Sequence, residues 1–192
     1  MKELKEKILK EGVAIGTEIV KVDHFLNHRL DVRFLERIGK EFRKRFEGCE
    51  VDKILTVEAS GIAVACLTAP YFGYAPVVFA KKATPSTMTE GFYEADARSF
   101  TKGTVSKFRV SEKFLNKGER VLIIDDFMAH GEASLALAKI VEQAGGQVIG
   151  VGAVIEKGFQ GGSRKLRDNG YRVESLAVID RIDNGQIGRA HV

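Results

Sequence analysis

The most constraining stretch of this chain is residues 121–134. Val121, Leu122, Ile123 and Ile124 run directly into Asp125 and Asp126. A short loop containing Gly131 follows, and residues 133–144 then carry helical periodicity, with Leu137, Ile140, Val141 and Ala144 on one face. An uninterrupted apolar run is the pattern of a strand buried on both faces of a parallel sheet. The carboxyl ends of such strands are where open α/β sheets take their ligands. Loop amides and the start of the next helix together favour a phosphate. Two carboxylates beside that phosphate suit ribose hydroxyls, a metal, or a sugar developing positive charge. One ligand that offers all of this is a sugar phosphate. The plainer alternative is a strand end with two solvated aspartates and an ordinary helix cap.

The same strand, small-residue loop and helix pattern recurs earlier. Residues 53–57 read as a strand that ends in Glu58, Ala59, Ser60 and Gly61, with a helix from Ile62 to about Tyr71. This is a second natural anion site, although taken alone it is a common βα turn. Residues 76–80 form another strand, followed by Lys81 and Lys82, two cations suited to a pyrophosphate or equally to solvent. Residues 147–155 are a further buried strand, ending at Glu156 and Lys157, and residues 171–179 are the last. Helices are expected over residues 1–11 and 31–46. The second carries the apolar stripe Phe34, Leu35, Ile38, Phe42 and Phe46, with Asp31 as its N-cap. Residues 84–104, rich in Thr, Ser and charge, read as a long loop; residues 107–110 return as a strand, and residues 180–192 are a polar tail. This alternation predicts an α/β fold with a mostly parallel, twisted sheet flanked by helices.

A length of 192 residues suits one domain, residues 1–192, with a sizeable core. Hydrophobic residues at 44% and charged residues at 29% are ordinary for a globular chain. No apolar stretch approaches the roughly 18 residues of a membrane span, and no leader sequence is read, so the expected setting is cytoplasmic, with no membrane partner. Cys49 and Cys66 have no metal-ligand spacing and are read as reduced thiols. His24, His28, His130 and His191 share no zinc spacing. A net charge of +4 fits a polyanionic small substrate but is too weak to argue for nucleic acid, which is not expected as a partner.

The stretch Asp125, Asp126, Phe127, Met128 and the loop Ala129, His130, Gly131, Glu132, Ala133 resembles the 5-phospho-α-D-ribose 1-diphosphate (PRPP) motif of the type I phosphoribosyltransferases. That motif is an apolar strand, two acidic residues, two apolar residues and a Thr-Gly loop. His130 and Ala133 stand where the common loop has hydroxyl residues, which leaves the phosphate resting more on backbone N–H groups. The loop is most similar to the Ala-Asn-Gly-Gln-Ala form of the bacterial xanthine-specific subfamily. Residues 21–28, 58–62 and 171–176 resemble that subfamily too, so the likeness covers nearly the whole chain. At residues 81–82 relatives often have Arg-Lys, and Lys81 departs from them.

The resemblance implies a type I phosphoribosyltransferase fold with an N-terminal hood over about residues 1–35, completed by C-terminal residues. It also implies a flexible loop near residues 84–104 that closes over the site. The implied reaction is that of a glycosyltransferase (pentosyltransferase): xanthine and PRPP give xanthosine 5′-monophosphate and pyrophosphate in purine salvage. Asp125 and Asp126 would be the catalytic carboxylates, and residues 129–133 would hold the 5′-phosphate. Ala59, Ser60 and Gly61 with Lys81 or Lys82 would hold the pyrophosphate, and Val20, Asn27 and Lys157 the xanthine. Mg²⁺ would arrive with PRPP, with no direct protein ligand. Family members are commonly homodimers, and the same is expected here. A Lys at position 157 disfavours adenine, which has an amino group where 6-oxopurines have a carbonyl. Guanine and hypoxanthine stay open as alternative bases. So does a PRPP-sensing regulator of purine genes, although the α/β pattern begins too early to leave room for a DNA-binding domain. A dinucleotide-binding dehydrogenase is disfavoured, because no Gly-x-Gly-x-x-Gly follows the first strand.

Overall fold

Helix α1 (Lys2–Glu11) opens the chain in a computed structural model that describes residues 1–82, 91–99, 103–183, 186–188 and 190–191. A small antiparallel hairpin follows, β1 (Val13–Ile15) and β2 (Ile19–Lys21), and then a wide helical turn over Asp23–Asn27. Helix α2 (Val32–Arg45) comes next. Its expected N-cap is in place, because the Asp31 side chain accepts from the Phe34 amide at 3.1 Å. This satisfies one of the four amides that a helix start leaves open.

The chain then runs through β3 (Lys53–Val57), α3 (Ser60–Thr68) and β4 (Val77–Ala80). It continues through β5 (Phe92–Ser99), β6 (Thr104–Ser111), β7 (Arg120–Met128), α4 (Glu132–Gln143), β8 (Gln147–Lys157), α5 (Gly162–Asp168) and β9 (Val173–Ile179). Three two-residue strands close it: β10 (Ile182–Asp183), β11 (Gln186–Ile187) and β12 (Ala190–His191). The main sheet has the order β12-β9-β8-β7-β3-β4. All its pairs are parallel except the short β12 against β9. The α/β sheet read from the sequence is therefore present.

Two expectations need correction. Residues 84–104 are not one long loop: Phe92–Ser99 is a strand, paired residue for residue with Thr104–Ser111 in an antiparallel hairpin. Buried Ala95, Ala97, Phe108 and Val110 seat this hairpin on α4 and the sheet. The alternation of small alanines with charged residues in β5 hid it, because alanine is a weak strand signal. Residues 83–90 and 100–102 lie outside the described residues. The tail also contributes: β12 adds an edge to β9, and β10 pairs with β11.

The core lies on both faces of the sheet. On one face α1, α2 and α3 pack through Leu4, Ile8, Phe34, Ile38, Phe42, Phe46, Val64 and Ala65 onto Ile54, Leu122, Ile124 and Val154. On the other, α4 and α5 pack through Leu137, Ile140, Val141 and Leu166 onto Leu55, Val121, Ile123 and Val151. The glycines of β8 permit the close approach of α2. A Cβ on Gly150 would lie 2.5 Å from the Phe46 ring, and one on Gly152 would lie 2.7 Å from the Phe42 ring. The helices after β3 and β7 thus leave for opposite faces, while the chain passes from β3 out to β4 and returns beside β3 as β7. The carboxyl ends of β3 and β7 therefore diverge around a crevice, the place where such sheets bind ligands.

Candidate active site

Strand β7 does not stop at its aspartates, as the sequence suggested, but stays paired with β8 through Met128. Successive side chains in a strand point to opposite faces, and this separates the two neighbours. Asp125 is buried, 5% exposed, and lines a cavity on the α4 side; Asp126 is half-buried and accepts from the Asn27 amide at 2.6 Å. Burial first, and then the charge of Asp126, pushes the Asp125 carboxyl well above its ordinary 3.8, while Lys82 pulls the other way. The Asp125 Oδ1 accepts from the Asp126 amide at 2.9 Å.

The cavity has a volume of about 350 Å³. It is lined by the loop Ala129, His130, Gly131, Glu132, Ala133, continuing to Ser134, and by Asp125, Lys82 and the β5–β6 hairpin through Arg98, Thr104 and Ser106. Gly131 takes the left-handed conformation at φ 77°, which lets the chain turn from β7 into α4. A Cβ there would lie 3.0 Å from the Gly162 carbonyl. The loop is thus a tight turn with a helix start behind it, the arrangement that collects amides around an anion. Glu132 is ion-paired with Lys165 of α5, so its charge is compensated within the protein. The His130 ring lies with Nδ1 3.2 Å from the Gln160 carbonyl.

The end of β3 reaches the same place. Gly61, in the first turn of α3, is so close that a Cβ would lie 2.3 Å from Thr56 Oγ1 and 3.4 Å from Asp125 Oδ1. Glu58 accepts from the Lys82 amide at 2.6 Å, tying this loop to the end of β4. Of the two adjacent lysines, Lys82 is exposed and lines the cavity. Lys81 instead pairs its backbone with Arg109 of β6, through bonds of 2.9 and 3.0 Å. Ala59, the N-cap, and Ser60 precede Gly61 at the head of α3.

The residues expected at the base are held by different elements. Lys157, at the end of β8, is half-buried and donates to the Glu18 carbonyl at 3.0 Å. Burial lowers its pKa from the ordinary 10.5. Val20, on β2 of the same hairpin as Glu18, packs against the core cluster that holds α1 and α2. Asn27 sits at the end of the wide turn anchored by Phe25, whose ring meets Phe34 edge-on at 5.6 Å. It reaches Asp126 from there. Arg98, Thr104 and Ser106 join the site only through the hairpin; the alternation of Thr104, Ser106 and Phe108 with charged Lys107 and Arg109 was the signal for them.

Of the two carboxylates only Asp125 lines the cavity, so a hydrated hard cation that enters with its ligand would meet one protein carboxylate there and not a full protein cage. Among the described residues no group of three or more His, Cys, Asp or Glu side chains is arranged to hold a metal ion. No helix among them is long and apolar enough to cross a membrane.

The model of the phosphoribosyl transferase domain matches residues 28–187, which include β3 to β9 and the whole cavity wall. The chain belongs to the phosphoribosyltransferase family. It is 57% identical to xanthine phosphoribosyltransferase 1 of Clostridium perfringens over 187 residues, covering 97% of this chain and 98% of that protein. It is 54% identical to xanthine phosphoribosyltransferase of Clostridioides difficile over the same shares. Among solved structures, adenine phosphoribosyltransferase of Rhodothermus marinus superposes with a TM-score of 0.73 at 20% identity, covering 93% of this chain and 99% of that one. At that identity the likeness concerns the fold alone. Within this phosphoribosyltransferase the sheet crevice, the turn at Gly131 and the aspartate pair are one continuous piece of β7–α4.

Proposed function

We propose that the chain is a xanthine phosphoribosyltransferase, which transfers the 5-phosphoribosyl group of PRPP to xanthine and releases pyrophosphate. The observation that carries this reading is the single cavity shared by buried Asp125, the turn at residues 129–133 and Lys82. That set offers a carboxylate for a ribose, amides for a phosphate and a cation for a second phosphate group. The named relatives at 51–57% identity over nearly the full length support xanthine as the acceptor.

In this reading the 5′-phosphate rests on the amides of residues 129–133 at the start of α4, where the helix dipole favours an anion. The pyrophosphate lies between Lys82 and the Ala59, Ser60 and Gly61 turn, with Arg98 of the hairpin on its far side. Lys81 is left to its backbone pairing with β6. As the C1–pyrophosphate bond loosens, positive charge spreads over the ribose ring, and Asp125 and Asp126 face that charge. A fixed carboxylate in a site of low dielectric stabilises developing positive charge without reorganising. Lys157 donates to an acceptor on the purine, and Asn27 meets its edge, so that a ring nitrogen faces C1. Much of the acceleration comes from this positioning. Mg²⁺, arriving with PRPP and keeping waters that Asp125 could accept from, would neutralise pyrophosphate charge.

We read the protein as a cytoplasmic homodimer of purine salvage. Its free Cys49 and Cys66 accord with a reducing compartment, and sedimentation of the purified chain tests the dimer. The decisive assay is nucleotide formation from PRPP and Mg²⁺ with xanthine, guanine, hypoxanthine and adenine in parallel. The expected result is a strong preference for xanthine. Preference for guanine or hypoxanthine would keep the chemistry and remove the base assignment. Saturable PRPP binding without product from any base would favour a regulatory PRPP sensor.

A further inference from the structure

Glu132 is a peculiar residue for a phosphate site. It is the first residue of α4 and lines the cavity, so its carboxylate competes with a phosphate for the same positive helix end. The structure gives it a partner from another element: the ammonium of Lys165, on α5.

That contact is one of three through which residues 160–165 grip the loop. The Gln160 carbonyl meets the His130 ring at 3.2 Å. Gly162 packs so tightly beneath the loop that a Cβ would lie 2.4 Å from the Ala129 carbonyl and 2.8 Å from the Gly131 amide. The start of α5 is itself fastened to the sheet, because the Ser163 hydroxyl donates to Glu156. Glu156 is 4% exposed and also accepts from Ser175 of β9 at 2.6 Å. The chain Ser175, Glu156, Ser163, α5 thus holds Lys165 on a rigid base beside the loop.

We infer that Lys165 is a positioning residue for the sugar phosphate. Its ion pair with Glu132 neutralises that carboxylate and draws it off the loop amides, so that a phosphate dianion can occupy them. This rests on the reading of residues 129–133 as the phosphate loop. Without Lys165, the Glu132 carboxylate faces the bound phosphate as a like charge, which at partly buried separations of several ångströms weakens binding about 10-fold or more. A merely structural tie between α4 and α5 would instead cost stability and leave phosphate affinity alone.

The test uses the full chain with the variants Lys165→Met, Lys165→Arg, Glu132→Gln and the double variant Lys165→Met/Glu132→Gln. Each is read by KM for PRPP and kcat at saturating xanthine, by calorimetric titration with ribose 5-phosphate, and by thermal melting. Lys165→Met is expected to raise KM for PRPP, and the dissociation constant for ribose 5-phosphate, by about 10-fold or more, with kcat changed less than about threefold. Lys165→Arg keeps the charge and should lie near wild type. Glu132→Gln should tighten phosphate binding, and the double variant should recover most of what Lys165→Met loses. A double variant as impaired as Lys165→Met would overturn the inference, as would unchanged affinity in Lys165→Met. The arms separate the two ideas: a wild type that binds ribose 5-phosphate but makes no nucleotide refutes the enzymatic reading and leaves the Lys165 test intact. A wild type that binds neither PRPP nor ribose 5-phosphate refutes both.

Discussion

The amide of Asn27 donates to the Oδ2 of Asp126 at 2.6 Å, across 99 residues of sequence. One of the carboxylates read as facing the ribose is thus held by a residue of the N-terminal segment read as covering the base. If that bond positions Asp126, Asn27→Ala should lower kcat about 10-fold as well as raise KM for xanthine, since a hydrogen bond to a charged group is worth roughly 1.5–3 kcal/mol. Steady-state kinetics with xanthine varied at saturating PRPP separates the two effects. A change in KM alone would mean that the bond opens when the base binds.

Asp125 is expected to make the protein less stable at neutral pH than it would be without the charge. Its carboxyl sits well above the ordinary 3.8, chiefly through burial. Between that value and its folded-state pKa the folded protein therefore holds more protons than the unfolded chain, so stability falls as pH rises through this window. Asp125→Asn removes the titration. It should melt above wild type at pH 7 without ligands, with the gap closing towards pH 3. A constant gap across that range would show that the group ionises at no cost.

The same chemistry predicts a sharp trade of stability for activity. The double variant Asp125→Asn/Asp126→Asn should keep its fold, measured by circular dichroism and melting, while losing nearly all nucleotide formation. Turnover like that of wild type would remove the carboxylates from the mechanism.

Lys157 is held below its ordinary 10.5 by burial. The unfolded chain then binds the extra proton between the folded pKa and 10.5, so this residue makes stability rise with pH in that window. The folded protein also loses the ammonium earlier than an exposed lysine would. If Lys157 holds the base as proposed, affinity for xanthine should weaken at alkaline pH below 10.5. Lys157→Met should lower kcat/KM for xanthine about 100-fold or more, as expected when a buried acceptor loses its donor. It should also abolish that alkaline limb. Equal pH profiles in both proteins would place the titration elsewhere.

Gly131→Ala places a side chain at φ 77° and 3.0 Å from the Gly162 carbonyl. The left-handed conformation alone costs a non-glycine residue roughly 1–2 kcal/mol. In a chain of this size that corresponds to a loss of roughly 2–4 °C in Tm per kcal/mol. If the turn holds the 5′-phosphate as proposed, KM for PRPP should rise at the same time. A stability loss with unchanged KM would show that the loop tolerates the shift.

Much of this site could be read from local pattern. The apolar run of β7 into Asp125 and Asp126, the capped stripe of α2 behind Asp31, and the turn at Gly131 are each written within a few consecutive residues. Strand alternation, helix periodicity and turn chemistry are properties of the chain at that range. Of the hairpin, residues 107–110 were read as a strand, whereas its partner Phe92–Ser99 was not legible, because alanines carry little strand signal until Ala95 and Ala97 find α4 beneath them. The choice between Lys81 and Lys82 was equally closed to inspection. Lys82 lines the cavity, and only the fold shows which of two successive side chains of an extended segment turns inward. The same holds for Asn27 against Asp126 and for Lys165 against Glu132. Local pattern carried the parallel strands of the main sheet, the principal helices and the strand ends that bear charge, because backbone preference there is settled between near neighbours. Only the tertiary structure decided which of those charges meet, because a pairing across dozens of residues is fixed by how the sheet orders its strands and by which face each side chain leaves.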